Sequence, residues 1–207
     1  MVRRTKADAM ETRSHLLDAA EQLFSERGVT NTSMMQVAEA AGVTRGAIYH
    51  HFRNKLDLIN SLMERVMLPI DEMREQVAQD EKNQNPLKQI ALRTKEYVGS
   101  LETNPHARAL SNILFHKCEY IDDVLPIKMR HLSGRNECID EMAKLFNAAI
   151  DKQQIPASVD SVRAVIGLFS LIDGLVYNWL LDTDYFPLSA TAEQAINAYL
   201  DGLARAA

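Results

Sequence analysis

Apolar positions recur at helical spacing along nearly the whole chain, and no stretch alternates in the two-residue rhythm of a strand. From about Ala7 to Arg27, Leu16, Leu17, Ala20, Leu23 and Phe24 fall at core spacing, Glu11, Arg13, Asp18, Glu21 and Glu26 supply a polar face, and Gly28 is a natural stop. Residues 31–33 lead into a second, short helix. Ser33 followed three residues later by Gln36 has the spacing of a capping box, and Met34, Val37, Ala38 and Ala41 form its apolar side. Gly42 ends it, since a residue without a Cβ turns freely at a helix C-terminus. Val43 points inward, and Thr44 caps a third helix carrying Ala47, Ile48 and His51. Two short helices joined around a glycine predict a helix-turn-helix.

After Phe52, Asn54 and Asp57 repeat the capping spacing ahead of Leu56, Ile59, Leu62, Met63 and Val66. Pro69 interrupts the pattern, residues 70–81 read as a shorter helix, and residues 82–86 as a loop whose Pro86 opens the next one. Helices are then expected over 87–101, 108–118, 126–151 and 159–181, separated by breaks at 102–107, near 120–122 and at 153–158. After a loop at 183–190, Thr191 paired with Gln194 predicts the cap of a last helix running to Leu203. The expected fold is all-α in two parts: a helix-turn-helix head over residues 1–55, with a fourth helix at 54–67 linking it, and a larger helical domain over 68–207.

The helix at 159–181 stands apart. Val162, Val165, Ile166, Leu168, Phe169, Leu171, Ile172, Leu175, Val176, Trp179 and Leu180 leave it apolar on nearly all sides, so it must be covered all round. Gly167 and Gly174, seven apart, allow another helix to come close. Such a helix suits either a buried place in one chain or a dimer seam, and two-fold DNA sites pair with two-fold proteins.

Composition then narrows the class. Hydrophobic residues make up 46% of the 207 and charged residues 25%, as in ordinary globular proteins. The basic N-terminus is followed by no apolar core, which is not the pattern of a signal peptide, and Cys118 and Cys138 suit a reducing compartment; the expected location is cytoplasmic, with no membrane partner. The net charge of −5 argues at first against nucleic acid, but residues 1–67 hold nine Lys/Arg against eight Asp/Glu, so the acidity lies in the body. Arg3, Arg4 and Lys6 form a basic arm ahead of the first helix.

A helix placed in the major groove reads base edges with a few side chains, while others hold phosphate. Arg45 is able to donate two hydrogen bonds to a guanine edge or to grip phosphate, Gly46 permits close approach, and Thr44, Tyr49 and His50 offer hydroxyl and ring donors. Lys55 adds charge at a helix start, and Thr32 and Ser33 stand at the lead-in to the second helix. Each alone is an ordinary surface residue; together on one short unit they predict a DNA-binding face. Nothing points to catalysis, a cofactor or a metal: His50, His51 and Glu64 are scattered, His116 with Cys118 and Cys138 lacks a third partner, and no glycine-rich phosphate loop occurs.

The stretch MQVAEAAGVTRGAIYHHFRNKLDL resembles the signature of the TetR family of transcriptional repressors, from Val37, Ala38 and Ala41 through Gly42, Val43, Thr44, Arg45, Gly46, Tyr49, His51, Phe52, Lys55 and Leu58. VRRTKADAMETR, NILFHKCEY and DGLVYNWL resemble the AcrR/TtgR/MtrR group, repressors of multidrug efflux pumps. The resemblance implies a homodimer built from the last two helices on palindromic double-stranded operator DNA, with residues 44–50 in the major groove and Tyr49 and Lys55 on phosphates. His50 departs from the tryptophan common at its position. It further implies a cavity in the larger domain for a small hydrophobic or cationic effector, at positions matching Ile90, Arg93, Thr94, Tyr97, Leu114, Phe115, Cys138, Met142, Phe169, Ile172, Asp173 and Val176. Asp173 inside an apolar run is either a structural hydrogen-bonding group or a polar anchor for ligand, and the same two readings hold for Arg93, Asn112 and His116. Two alternatives stay open: a regulator of the same architecture sensing a fatty acyl or aromatic metabolite, and a helical interaction protein that does not bind DNA.

Overall fold

A computed structural model describes residues 6–66, 85–120 and 125–206. The expected kink at Pro69, the helix over 70–81, and Arg3 and Arg4 of the basic arm lie outside the described residues. All regular structure among the described residues is helical: α1 (Lys6–Arg27), α2 (Met34–Ala40), α3 (Arg45–His51), α4 (residues 55–66), α5 (Pro86–Thr103), α6 (Pro105–His116), α7 (Leu125–Asp151), α8 (Ser161–Leu181) and α9 (Leu188–Ala204). They fall into two compact units, Met1–Arg74 with Ala109–Arg130, and Glu75–Arg108 with His131–Ala207.

In the first unit, Leu16, Ala20 and Phe24 of α1 are wholly buried with Val37 of α2, Ile48 of α3, Phe52, and Leu58 of α4. Each large apolar side chain removed from water in this way contributes on the order of 1.5–3 kcal/mol. Arg13 stacks its guanidinium 5.2 Å from the centre of the Phe52 ring and donates to Ser61 Oγ at 2.8 Å, while Arg65 of α4 is ion-paired to Asp18 and Glu21 of α1. Two glycines set the turns. Gly42 takes φ +67 after α2, and Gly28 takes φ +84 after α1, where the Lys117 carbonyl would stand 3.2 Å from an added Cβ. The same carbonyl accepts the Val29 N–H at 2.9 Å, so the segment after α6 is fastened to the α1–α2 turn.

In the second unit, α9 packs along α5 and α8. Leu188, Ala192, Ile196 and Leu200 bury one stripe of α9, and Val165, Leu168, Ile172, Val176 and Trp179 one stripe of α8. Gly167 allows the close approach its position predicts: the Tyr199 hydroxyl already occupies the space of a Cβ there, and it donates to the Ala164 carbonyl at 2.8 Å. Gly174 has open space instead. The expectation that α8 is covered all round is not met within the single chain, where Val162, Ile166, Tyr177 and Leu181 are exposed. By length and composition α8 is apolar enough to cross a membrane, although a third of the relevant window is buried.

Two helix starts differ from the sequence pattern. The break at 102–107 shrinks to Asn104, whose Oδ1 accepts the N–H groups of His106 and Ala107 at 3.0 and 3.2 Å and so starts α6 at Pro105. The last helix begins at Leu188, not at a Thr191 cap, and no side chain caps it. Thr191 lies inside the helix and donates its hydroxyl to the Pro187 carbonyl at 2.8 Å; the start is fixed by fully buried Leu188 and by Glu102, which accepts from the backbone N–H and the hydroxyl of Ser189.

Candidate functional site

The caps expected at Ser33 and Thr44 are present bond by bond, whereas the box expected at Asn54 is half formed: Asn54 Oδ1 accepts the Asp57 N–H at 2.9 Å, but Asp57 Oδ2 accepts from the Arg53 N–H at 3.1 Å. Ser33 Oγ accepts the Gln36 N–H at 3.2 Å, and Gln36 Oε1 accepts the Ser33 N–H at 2.8 Å. Thr44 Oγ1 accepts the Ala47 N–H at 3.3 Å and sets the first turn of α3. These caps fix two short helices that propensity alone would not hold. Ile48 is the one buried side chain of α3, so the opposite side of the helix is free of the core. Thr44, Arg45, Gly46, Tyr49 and His50 are all exposed there. Arg45 rests its guanidinium carbon 5.8 Å from the centre of the Tyr49 ring, and His50 meets His51 edge-on at 5.4 Å.

Beside α3 lies an open cleft of about 340 Å³ lined by Ser33, Met34, Met35, Tyr49, Arg53, Asn54 and Lys55. Of the residues expected to contact DNA it brings together Ser33, Tyr49 and Lys55, and it adds Met35, Arg53 and Asn54. Of these, Arg53 has a signal in the sequence that the motif reading does not use: it is a second cation within the RNK tripeptide before α4. Lys55 is not fully free, because its ammonium donates to the Val29 carbonyl at 2.9 Å. One bond leaves two of its three protons for another acceptor. Thr32 is placed differently. It is 1% exposed, with its hydroxyl turned inward to the Gly28 carbonyl at 2.8 Å, so it braces the α1–α2 turn and presents nothing to the surface. Lys6 stands exposed at the start of α1.

Of the expected effector positions, Ile90, Thr94, Ile172 and Val176 are buried in the second unit, with the Thr94 hydroxyl donated to the Ile90 carbonyl at 2.7 Å. Arg93, Tyr97, Cys138, Met142 and Phe169 are half-buried. Leu114 and Phe115 belong to the first unit, as do Asn112 and His116. Asp173 is exposed in the single chain and not enclosed by the apolar run around it, although nearby protein still strips enough hydration to raise its pKa; His131 and Arg135 of α7 oppose the rise. His131 is shifted down, again chiefly by desolvation, against the pull of Asp173. A raised folded-state pKa means that ionised Asp173 costs stability above that pKa, and that the cost is absent below about pH 4, where the unfolded carboxyl is also protonated. Asp173→Asn is therefore expected to raise the thermal midpoint slightly at pH 7, an advantage that fades as melts are repeated down to pH 4. An unchanged or lower midpoint at pH 7 refutes this.

Among the described residues no group of His, Cys, Asp and Glu side chains forms a metal site. Burial pushes the Cys118 thiol up to about 11 despite the nearby charge of Lys55, so it remains a protonated thiol at neutral pH and a poor nucleophile.

Residues 16–62 match the family described as bacterial regulatory proteins, tetR family, and residues 85–205 the C-terminal region of MAATS-type transcriptional repressors. The HTH-type transcriptional regulator TtgR of Pseudomonas putida is 35% identical over 203 residues, 98% of this chain and 96% of its own. The HTH-type transcriptional regulator AcrR of Shigella flexneri is 35% identical over 201 residues, 97% and 93% of the two chains. The crystal structure of NalD, the secondary repressor of the MexAB-OprM multidrug efflux pump in Pseudomonas aeruginosa, superposes with a TM-score of 0.86 at 34% identity, covering 97% of this chain and 99% of that one.

Proposed function

This chain belongs to the tetR family of bacterial regulatory proteins, DNA-binding transcription regulators and not enzymes, and on that footing we propose that it is a dimeric cytoplasmic repressor of a multidrug efflux operon, released from a palindromic operator by bulky apolar or cationic compounds. The observation that carries the DNA half of this reading is α3 itself, a rigidly capped helix that anchors with Ile48 and leaves Arg45, Tyr49 and His50 outward. A helix of seven residues with this face outward is able to lie in the major groove with its N-terminal residues toward base edges. Arg45 reaches a guanine edge or a flanking phosphate, the Tyr49 hydroxyl and the Lys55 ammonium take backbone phosphates, and the α2 start at Ser33 borders the same strand.

TetR-family repressors act as dimers. The seam we assign here is α8 with α9, supported by the exposed Val162, Ile166, Tyr177 and Leu181 and by the open space at Gly174. Two heads held by such a seam reach successive major grooves, about 34–36 Å apart. A ligand that prefers the state in which the heads lose that spacing lowers DNA affinity by its differential binding, and by no more. Half-buried Arg93, Tyr97, Met142 and Phe169 supply the mixture of apolar surface and a few polar groups that such ligands need.

Selection of duplexes from a randomised pool, followed by gel-shift titration with dyes, antibiotics and bile-type compounds, tests both halves. A palindromic consensus whose binding weakens with at least one compound is expected; failure to retain any duplex removes the DNA reading, and indifference to every compound removes induction. On the selected duplex, Tyr49→Ala should weaken binding for all sequences alike. Arg45→Ala should cost about 1–3 kcal/mol and relax preference at one base pair per half-site, or, if Arg45 grips phosphate, leave preference intact.

A further inference from the structure

Arg53 sits between Phe52, the C-cap of α3, and the first turn of α4. Its side chain is 87% exposed, and its partner among the described residues is Asp57, with Nε 3.3 Å from Oδ2. Asp57 is the better anchored of the two. Its Oδ2 also accepts the Arg53 backbone N–H at 3.1 Å, and its own N–H is held by Asn54 Oδ1 at 2.9 Å. The carboxylate is thus fixed by backbone, whereas the guanidinium leans on it through a single long contact. An exposed i, i+4 pair of this kind is weak. Both terminal nitrogens of Arg53 have no hydrogen-bond partner among the described residues, and the side chain lines the cleft that also holds Ser33, Tyr49 and Lys55.

We propose that Arg53 is a phosphate-binding residue held in reserve: without DNA its guanidinium rests on Asp57, and on DNA it exchanges that carboxylate for a backbone phosphate flanking the strand read by α3. A phosphate offers the planar fork a bidentate partner that Asp57 does not provide here. Asp57 stays behind, its carboxylate held by the Arg53 backbone N–H, as a negative charge beside the DNA. The pair consequently has opposite effects: Arg53 adds affinity and salt dependence, and Asp57 restrains both. The nearby cap explains why an acidic residue is kept next to a DNA backbone. Its carboxyl closes the turn between α3 and α4, and the ordinary carboxylate value is lowered mainly by the Arg53 N–H it accepts. This inference rests on the DNA-binding reading above.

The experiment is a double-mutant cycle on the duplex selected by the wild-type protein, with affinity measured between roughly 50 and 300 mM KCl. Arg53→Gln is expected to lower affinity roughly tenfold and to make the salt slope shallower by about two for a dimer, one per head. Arg53→Lys should keep most of the slope. Asp57→Asn, which retains an oxygen for the backbone N–H, should tighten binding clearly in the wild-type background and less in the Arg53→Gln background, where only the repulsion between the carboxylate and DNA is relieved. An unchanged slope in Arg53→Gln overturns the phosphate contact. A strictly additive cycle overturns the exchange, since it makes Asp57 a mere background charge. Circular dichroism melts confirm that each variant is folded. A wild type that selects no duplex at all fails the DNA-binding reading instead, and is told apart by that result.

Discussion

Ile166→Glu is expected to convert the dimer to a monomer and to lower affinity for a palindromic duplex by at least about 100-fold. Ile166 is 48% exposed in the single chain, on the same side of α8 as Val162, Tyr177 and Leu181. A glutamate there is harmless to the isolated chain, because its carboxylate reaches water directly. In a two-fold seam the same substitution buries two carboxylates in apolar surroundings, and they face each other or each other's neighbours. An unpaired buried charge costs several kcal/mol, enough to outweigh the seam. Losing the second head then forfeits the effective concentration that links two half-sites, a factor on the order of 10²–10⁴. Sedimentation velocity and gel shift read the two effects, and far-UV circular dichroism should match wild type. A variant that sediments as a dimer with wild-type affinity excludes α8 from the seam.

Phe52→Ala is expected to abolish DNA binding by the opposite route, unfolding the head while the dimer persists. Its ring is 1% exposed, closes the end of α3, and lies beneath the Arg13 guanidinium. Truncating a buried Phe to Ala costs about 3–5 kcal/mol, most of what a unit of this size has to spare. Arg13 loses its aromatic platform at the same time. Limited proteolysis should cut first within residues 28–54, and sedimentation should still report a dimer. Tyr49→Ala provides the contrast: its ring is 44% exposed, so binding should fall without change in protease resistance. Wild-type resistance in Phe52→Ala would show that the cavity is refilled by neighbours.

The head is legible in the sequence because its determinants are local. Ser33 with Gln36, Thr44 with Ala47, and Gly28 and Gly42 at positive φ all act within a turn of where they stand. The elements that local rules misplace are those set from a distance. Ser189 is held by Glu102, 87 residues away, and that contact together with buried Leu188 moves the start of α9 ahead of the Thr191 that a local rule selects. Thr32 reads as a surface hydroxyl until the α1–α2 turn folds back and gives it carbonyls to bond. Arg53 escapes notice for a different reason: in sequence it is one cation among several, and its distinction is the cleft it borders and the looseness of its tie to Asp57. For the effector positions the sequence supplies side-chain character, and burial then sorts closed core residues such as Ile172 from half-open ones such as Phe169.

The bond from the Val29 N–H to the Lys117 carbonyl has a practical consequence for building hybrid regulators. A head excised after its fourth helix would exchange the Val29 bond for one to water, a loss of about 0.5–1.5 kcal/mol, and would empty the space beside Gly28 that the carbonyl fills. The portable cassette is discontinuous: residues 109–120 must travel with the reading helices, and a graft that exchanges operator specificity between relatives should be cut on both sides of that segment.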